Sequence, residues 1–228
     1  SKLMATLKAK AVLSPGLSIT FLDESSGKSE SWCFMDGLAA YLQESNKGGD
    51  LIPADPFEGD FFTEDGGLTW AIQWVQGIND PVSESYVNLI PTPHGGTHVN
   101  GLRGGLTEAL KEFCDFRNLI PRGLKLTADD VWVNCSSILS AKAKEPQFTG
   151  QTKEKFSSKD FSGFVSAIIK DAFSLWLNKH TSEGEEIALL AISNAQERQK
   201  ANKKVARKKV TAGPALPGKL ADCIVDDV

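Results

Sequence analysis

The segment from Gly150 to Lys153, Gly-Gln-Thr-Lys, has the side chains of this chain best suited to contact a phosphate. It follows residues 136–144, which have the pattern of a β-strand, and precedes an amphipathic helix that begins near Phe161. A lysine ammonium on a short loop can reach a phosphate oxygen, and the amide of Gln151 can donate a hydrogen bond beside it. So short a motif is also typical of a solvated surface loop, so its interpretation depends on the neighbouring segments.

A second glycine-rich segment, residues 93–106, contains two of the three histidines. It lacks the Gly-Lys-Ser/Thr ending of a phosphate-binding P-loop. His94 and His98 lie four residues apart with no third ligand at a useful spacing, so we predict no metal site. The pattern favours a turn that leads into a helix, with Val99 and Leu102 on its inward face.

Seven cations fall between Arg198 and Lys209 with no acid among them, although the formal net charge of the chain is −4. No proline or glycine interrupts the helical pattern before Gly213. We therefore predict a long basic helix that either is solvated or neutralises DNA phosphates without reading base sequence. Its opposite face is too weakly apolar for a membrane surface. The candidate DNA contacts in this helix are Lys200, Lys203, Lys204, Arg207 and Lys208.

Composition narrows the class of protein. The chain has 228 residues, 41% of them hydrophobic, which is sufficient for a substantial core. It has neither an apolar run of membrane-spanning length nor the pattern of a signal peptide, so we expect a cytoplasmic location and no membrane partner. The four cysteines contain no Cys-x-x-Cys pair, which argues against a disulfide framework or a zinc site.

The elements around these segments are a mixture of helices and strands. We predict a helix at the N-terminus, a β-hairpin over residues 17–34 and a loop or irregular strand over 45–67. We expect a strand over residues 68–74, whose tryptophans are core residues, to pair with the next strand, residues 86–90. A capping box at residues 127–130 should begin a short helix, and two longer helices should follow near residues 161 and 182.

Four segments occur in an order that is typical of one family: residues 85–92, 95–103, 146–155 and 213–223. Together they resemble the B subunit of bacterial DNA topoisomerase IV, in the part called the transducer. The resemblance implies an α/β (α+β) domain of two layers, with a mostly four-stranded sheet and helices on one side. It also implies a left-handed βαβ crossover, and the charge pattern adds the long C-terminal basic helix.

The same resemblance implies a domain organisation. Residues 1–212 would form the transducer, beginning with the tail of a linking helix, and residues 213–228 would lead into a Toprim domain. Because the chain starts with Ser1 inside a predicted helix, we expect it to be a piece of a longer protein. By itself this piece should neither hydrolyse ATP nor cleave DNA.

In that family a preceding ATPase domain holds Mg-ATP, and the transducer lysine reaches it from the neighbouring domain. Carried onto this chain, Lys153 would contact the γ-phosphate and Gln151 would assist it. Arg103 would lie on the wall of a cavity through which double-stranded DNA passes. The implied activity is decatenation and relaxation of DNA for chromosome segregation near the nucleoid, in a heterotetramer with the topoisomerase IV A subunit.

Two other functions remain open. The B subunit of DNA gyrase has similar motifs and would supercoil DNA instead. A non-enzymatic α/β domain could also use the basic helix to bind nucleic acid, in which case Lys153 would have no role in catalysis.

Overall fold

The computed structural model describes residues 2–35, 37–78 and 80–211. The helices of these residues are α1 (Lys2–Val12), α2 (Gly37–Ser45), α3 (Thr97–Phe116), α4 (Ala128–Trp132), α5 (Phe161–Lys179) and α6 (Thr181–Thr211). The strands are β1 (Ile19–Asp23), β2 (Lys28–Trp32), β3 (Asp50–Phe62), β4 (Gly66–Gln76), β5 (Ser83–Val87), β6 (Ile90–Pro91), β7 (Cys135–Ala143), β8 (Phe148–Thr149) and β9 (Lys155–Phe156). The mixed α/β fold class is confirmed. The predicted linker, residues 213–228, lies outside the described residues.

A five-stranded sheet with the order β3-β4-β7-β5-β6 forms the centre of the molecule. Four of its strands have five or more residues and β6 has two, which agrees with the expectation of a mostly four-stranded sheet. The predicted pairing of the 68–74 strand with its successor is wrong, because β7 lies between β4 and β5. The first five residues of β7 are all buried, so it requires a neighbour on both edges and cover on both faces.

The pair β5 and β7 is parallel, whereas the other pairs in this sheet are antiparallel. Parallel neighbours need a crossover connection, which here passes through β6, α3 and α4. The left hand that the resemblance implies for this crossover stays a prediction.

Helices α3, α5 and α6 bury one face of the sheet in the main hydrophobic core. Trp70 and Trp74 of β4 belong to this core, which confirms that they are packing residues. The Phe173 ring of α5 stacks on Trp74, with 5.8 Å between centroids. Helix α5 therefore contacts the sheet as predicted, and it also packs tightly on α3 at Gly101 and Gly105.

The opposite face of the sheet has a smaller helical cover, formed by α1 and α2. Val12 and Leu42 from these helices pack with Ala71 of β4 and Ile138 of β7. Successive residues of a strand point to opposite faces, so Ala71 and Ile138 need a partner layer that Trp70 and Leu139 do not share. This second cover corrects the expectation of helices on one side only.

Two further predictions about the N-terminal half are confirmed. The segment 17–34 forms the hairpin β1–β2, which is a separate two-stranded sheet. The 45–67 segment contains an irregular strand: β3 pairs with β4, and its register shifts between Ile52 and Phe57. No helix in the described part of the chain is long and apolar enough to cross a membrane.

Candidate functional site

Lys153 lies in the loop of a small hairpin formed by β8 and β9. Phe148 pairs with Phe156 and Thr149 with Lys155, which leaves five residues, 150–154, to form the loop. Gly150 has a φ of 80° and Lys153 a φ of 56°, both in the left-handed region. A non-glycine residue in this region is strained, and such strain persists only where the surrounding contacts enforce it. Lys153 therefore has a backbone conformation that costs about 1–2 kcal/mol relative to the right-handed region.

The side chains of Gln151 and Lys153 are both exposed at this loop. The Lys153 ammonium lies 6.0 Å from the centroid of the Phe148 ring, at the limit of a cation–π contact. Among the described residues, no carboxylate forms an ion pair with Lys153. The structure thus brings both predicted phosphate-binding side chains together, with the lysine charge available to an external anion.

The hairpin is seated on the start of α3 through backbone contacts. The Phe156 N–H donates to the Gly95 carbonyl, and the His94 N–H donates to the Glu154 carbonyl, each at 3.0 Å. Gly96 forms a β-bridge with Phe156, and the approach is so close that a Cβ at Gly96 would lie 2.1 Å from the Phe156 carbonyl oxygen. The Lys153 loop and the N-terminus of α3 therefore form one unit.

His98 packs against the β9 end of this hairpin from inside the core. Its side chain is fully buried, its Nε2 lies 3.1 Å from the Thr92 hydroxyl, and its ring packs edge-on against Phe156 at 5.3 Å between centroids. Burial lowers the pKa of His98 to about 4, so the imidazole is neutral near pH 7. Within the described residues, no group of three or more His, Cys, Asp or Glu side chains could hold a metal ion.

Arg103 lies two turns into α3 and already has an anionic partner. Its guanidinium forms a salt bridge with Asp129 of α4 and lies 5.2 Å from the centroid of the Trp132 ring. Its side chain is 31% exposed, so it is accessible to a phosphate only in part. Its predicted contact with DNA stays a prediction, and the structure adds that such a contact would compete with Asp129.

Helix α6 begins in the core and continues into the basic segment. Lys200 and Lys203 are exposed, as a contact with a polyanion requires. The side chains of Lys204, Arg207 and Lys208 lie outside the described residues. Arg198, the first cation of the segment, is not a free charge, because its Nε donates to Asp130 at 2.7 Å.

Asp130 is a residue whose importance the sequence indicated only in part. The predicted capping box is present: the Thr127 N–H and hydroxyl donate to Asp130 at 2.7 and 2.8 Å. Burial alone would raise the pKa of Asp130, but the hydrogen bonds from Arg198 and Thr127 hold it below its ordinary value. The capping pattern predicted that Asp130 lies in the first turn of a helix. No spacing rule indicated its bond to Arg198, which is 68 positions away.

Comparison with known proteins shows the family to which the chain belongs. The family model described as DNA gyrase B matches residues 37–207, a range that contains the Lys153 hairpin, Arg103 and α4. The chain belongs to the DNA gyrase B family. Within this family it is 54% identical, over all 228 residues, to the B subunit of DNA topoisomerase 4 from Salmonella typhimurium. This match covers 100% of the chain and 36% of that relative, so the chain spans about a third of the relative's length.

Solved structures of family members have the same fold. One is a topoisomerase IV ATP-binding domain of Francisella tularensis in complex with a small-molecule inhibitor, which is 36% identical with a TM-score of 0.75. The match covers 86% of this chain and 53% of that one. The 43K ATPase domain of Thermus thermophilus gyrase B, in complex with an aminocoumarin, is 26% identical with a TM-score of 0.77. That match covers 91% of this chain and 56% of the other.

Proposed function

We propose that this chain is the transducer part, residues 1–212, of the B subunit of an ATP-dependent type IIA DNA topoisomerase of the topoisomerase IV kind. The observation that carries the proposal is the exposed Lys153, held in a left-handed conformation on a hairpin that is seated on α3. The identity of 54% to the B subunit of a DNA topoisomerase 4, over the whole chain, supports the same assignment. The full protein would relax and decatenate DNA.

In this function Lys153 contacts the γ-phosphate of Mg-ATP, which is held mainly by an ATPase domain that precedes this chain. During phosphoryl transfer, negative charge builds up on the phosphate oxygens and the leaving group, and a preorganised cation stabilises that charge without forming a covalent bond. Gln151 donates a hydrogen bond to the same group. Lys153 is the only residue of this chain that we assign to catalysis.

Release of the phosphate would be transmitted through the hairpin. Because Lys153 lies on one domain and the nucleotide on another, loss of the γ-phosphate removes an attraction between the two domains. The hairpin is bonded to the start of α3, so a displacement of the loop pulls on the helix that carries Arg103. This coupling would link hydrolysis to the passage of a DNA strand.

Double-stranded DNA is the proposed substrate, and its contacts would be Arg103 with the exposed lysines of α6. These cations neutralise phosphates and are blind to base sequence, so binding should weaken steeply as salt rises. The proposed partner is the topoisomerase IV A subunit, in a heterotetramer. The proposed location is the cytoplasm, at the nucleoid.

A second candidate is the transducer of the DNA gyrase B subunit, because a gyrase B ATPase domain has the same fold at 26% identity. The higher identity to a topoisomerase 4 relative favours the first candidate. Decatenation and supercoiling assays on the full-length enzyme separate the two, since only gyrase introduces negative supercoils.

The decisive experiment measures ATP hydrolysis by a longer protein that includes the ATPase domain, at saturating Mg-ATP. Lys153→Ala should lower turnover by about a hundredfold or more, with nucleotide binding largely retained. Lysine and alanine both have a Cβ and share the cost of the left-handed backbone, so this substitution removes the charge without relieving strain.

Lys159→Ala is the matched control, because Lys159 is exposed and lies six residues farther along the chain. Turnover should be unchanged in this variant. An unchanged rate in Lys153→Ala would refute the role of Lys153 and would favour a non-enzymatic nucleic-acid-binding domain.

A further inference from the structure

Two adjacent carboxylates on the short helix α4 hold cations from two different helices. Asp129 pairs with Arg103 of α3, and Asp130 pairs with Arg198 of α6. The two pairs differ in their exposure to solvent. The Asp129 side chain is 80% exposed, whereas that of Asp130 is 3% exposed.

The carboxylate of the Asp130–Arg198 pair is buried, and this pair holds α4 in place. Asp130 accepts hydrogen bonds from Nε and Nη2 of Arg198 at 2.7 and 2.8 Å and from Thr127, the N-cap residue of α4. Arg198 also donates to the Lys125 carbonyl at 2.9 Å, and the Asn194 amide donates to the Asp130 carbonyl at 3.0 Å. These bonds attach α4 to α6. They also fix the position of Asp129, whose carboxylate faces Arg103 of α3.

The carboxylate of the Asp129–Arg103 pair, in contrast, is exposed to solvent. One Nη2–H of Arg103 donates to Asp129, so most of the five guanidinium donors are left for other acceptors. The face of the guanidinium lies against Trp132, which restricts its orientation. Because the Asp129 side chain is exposed to solvent, water and salt screen this ion pair and it is weak.

We infer that Asp129 is a built-in competitor for the DNA phosphate that Arg103 would contact. Carboxylate and phosphate oxygens are recognised by the same edges of a guanidinium. A phosphate must therefore either displace Asp129 or bind beside it against its repulsion. Asp129 neutralises Arg103 while DNA is absent and lowers the affinity of this surface for DNA, which suits a strand that must be released after passage. This inference rests on the proposed function, since it takes DNA as the ligand of Arg103.

The test uses the full-length protein and a short DNA duplex, with fluorescence anisotropy as the binding signal at low salt. Asp129→Asn keeps the size of the side chain and removes its charge. It should tighten binding by about two- to fivefold, the range expected when an exposed ion pair no longer competes. The gain should shrink as salt rises, because both the ion pair and the phosphate contact are screened.

Asp115→Asn is the matched control, since it makes the same change of charge at an exposed position on α3, about three turns or roughly 18 Å from Arg103. Its affinity for DNA should equal that of the wild type. The gain from Asp129→Asn should also disappear when Arg103→Gln is added, because the competition needs both partners.

Arg103→Gln alone separates this inference from the function on which it rests. If Arg103→Gln weakens binding while Asp129→Asn leaves it unchanged, Arg103 contacts DNA and the competition by Asp129 is refuted. If Arg103→Gln leaves binding unchanged, Arg103 is not part of the DNA surface, and both the proposed contact and the competition fail.

Discussion

Replacing Gly96 with alanine should displace the hairpin that carries Lys153. Gly96 has a φ of 139° and a ψ of −156°, a region that residues with a Cβ avoid at a cost of about 1–3 kcal/mol. The added Cβ would lie 2.1 Å from the Phe156 carbonyl oxygen and 2.7 Å from the Phe156 nitrogen. Both of these atoms belong to the backbone, so no side-chain rotation relieves the overlap and the two segments must separate by about 1 Å or more.

That separation removes further stabilising contacts. The hydrogen bonds from Phe156 to Gly95 and from His94 to Glu154 are both 3.0 Å long, and each contributes about 0.5–1.5 kcal/mol. Together with the backbone cost, Gly96→Ala should lower the free energy of unfolding by about 2–6 kcal/mol. In the longer protein, ATP turnover should also fall if Lys153 has the proposed role, because the displaced loop would move Lys153 away from the γ-phosphate that we propose it contacts.

Urea unfolding gives the stability, and Gly123→Ala is the control. Gly123 has a φ of 80°, but a Cβ there would meet no atom within 4 Å, so that variant has the backbone cost without the collision. Its loss of stability should be about 1–2 kcal/mol. If Gly96→Ala costs no more than Gly123→Ala, the close approach of Gly96 and Phe156 does not hold the hairpin, and the reasoning is wrong.

Three other predictions concern stability. The pKa of His98 is lowered to about 4 from about 6.5 in an unfolded chain. The unfolded state therefore gains the proton first below pH 6.5, and the free energy of unfolding should fall by about 1.4 kcal/mol per pH unit, roughly 3 kcal/mol by pH 4. His98→Gln should remove this contribution, so that between pH 6.5 and 4 the variant loses less stability than the wild type in urea unfolding. Asp130→Asn should cost about 2–4 kcal/mol at neutral pH, because it leaves Arg198 without its charged partner. Since the pKa of Asp130 is lowered, the difference from wild type should disappear as acid protonates the carboxylate, which thermal unfolding at several pH values would reveal. Gly105→Ala should cost about 1–3 kcal/mol, because its Cβ would lie 2.6 Å from the Ser166 carbonyl oxygen. Gly104→Ala should cost nothing or stabilise α3, because its nearest neighbour is a hydroxyl that can rotate, and equal losses in the two variants would contradict this account.

The glycines of α3 have a packing role that the local sequence pattern does not show. The sequence pattern predicts a turn that leads into a helix with Val99 and Leu102 on its inward face, and the structure confirms this helix as α3, with Gly101 and Gly105 inside it. They allow the backbone of α5 to approach, since a Cβ at Gly101 would lie 2.4 Å from the Ser162 carbonyl oxygen. The separation of these helices by about 60 residues left no local sign of the contact.

The surroundings of the predicted site residues could be foreseen from the sequence to different degrees, for a related reason. Gln151 and Lys153 are neighbours in sequence, so their common position on a loop followed directly from the chain. The resemblance predicts Arg103 as a DNA contact, but it gave no sign of the partner Asp129, because the ion pair joins α3 to a helix across an intervening loop. Arg198 is a second example. The sequence shows that it belongs to a run of cations, but not that the distant carboxylate of Asp130 neutralises it.

The sequence was sufficient to predict α1, α3, α4, α5 and α6, the β1–β2 hairpin, the capping box at Thr127 and the packing role of the tryptophans. These features depend on burial patterns and hydrogen bonds that repeat within a few residues, so they are readable along the chain. Only the tertiary structure placed β7 between β4 and β5, covered the second face of the sheet with α1 and α2, and seated the Lys153 hairpin on Gly96. Each of these depends on contacts between residues that are distant in sequence, and local spacing does not specify which distant segments meet.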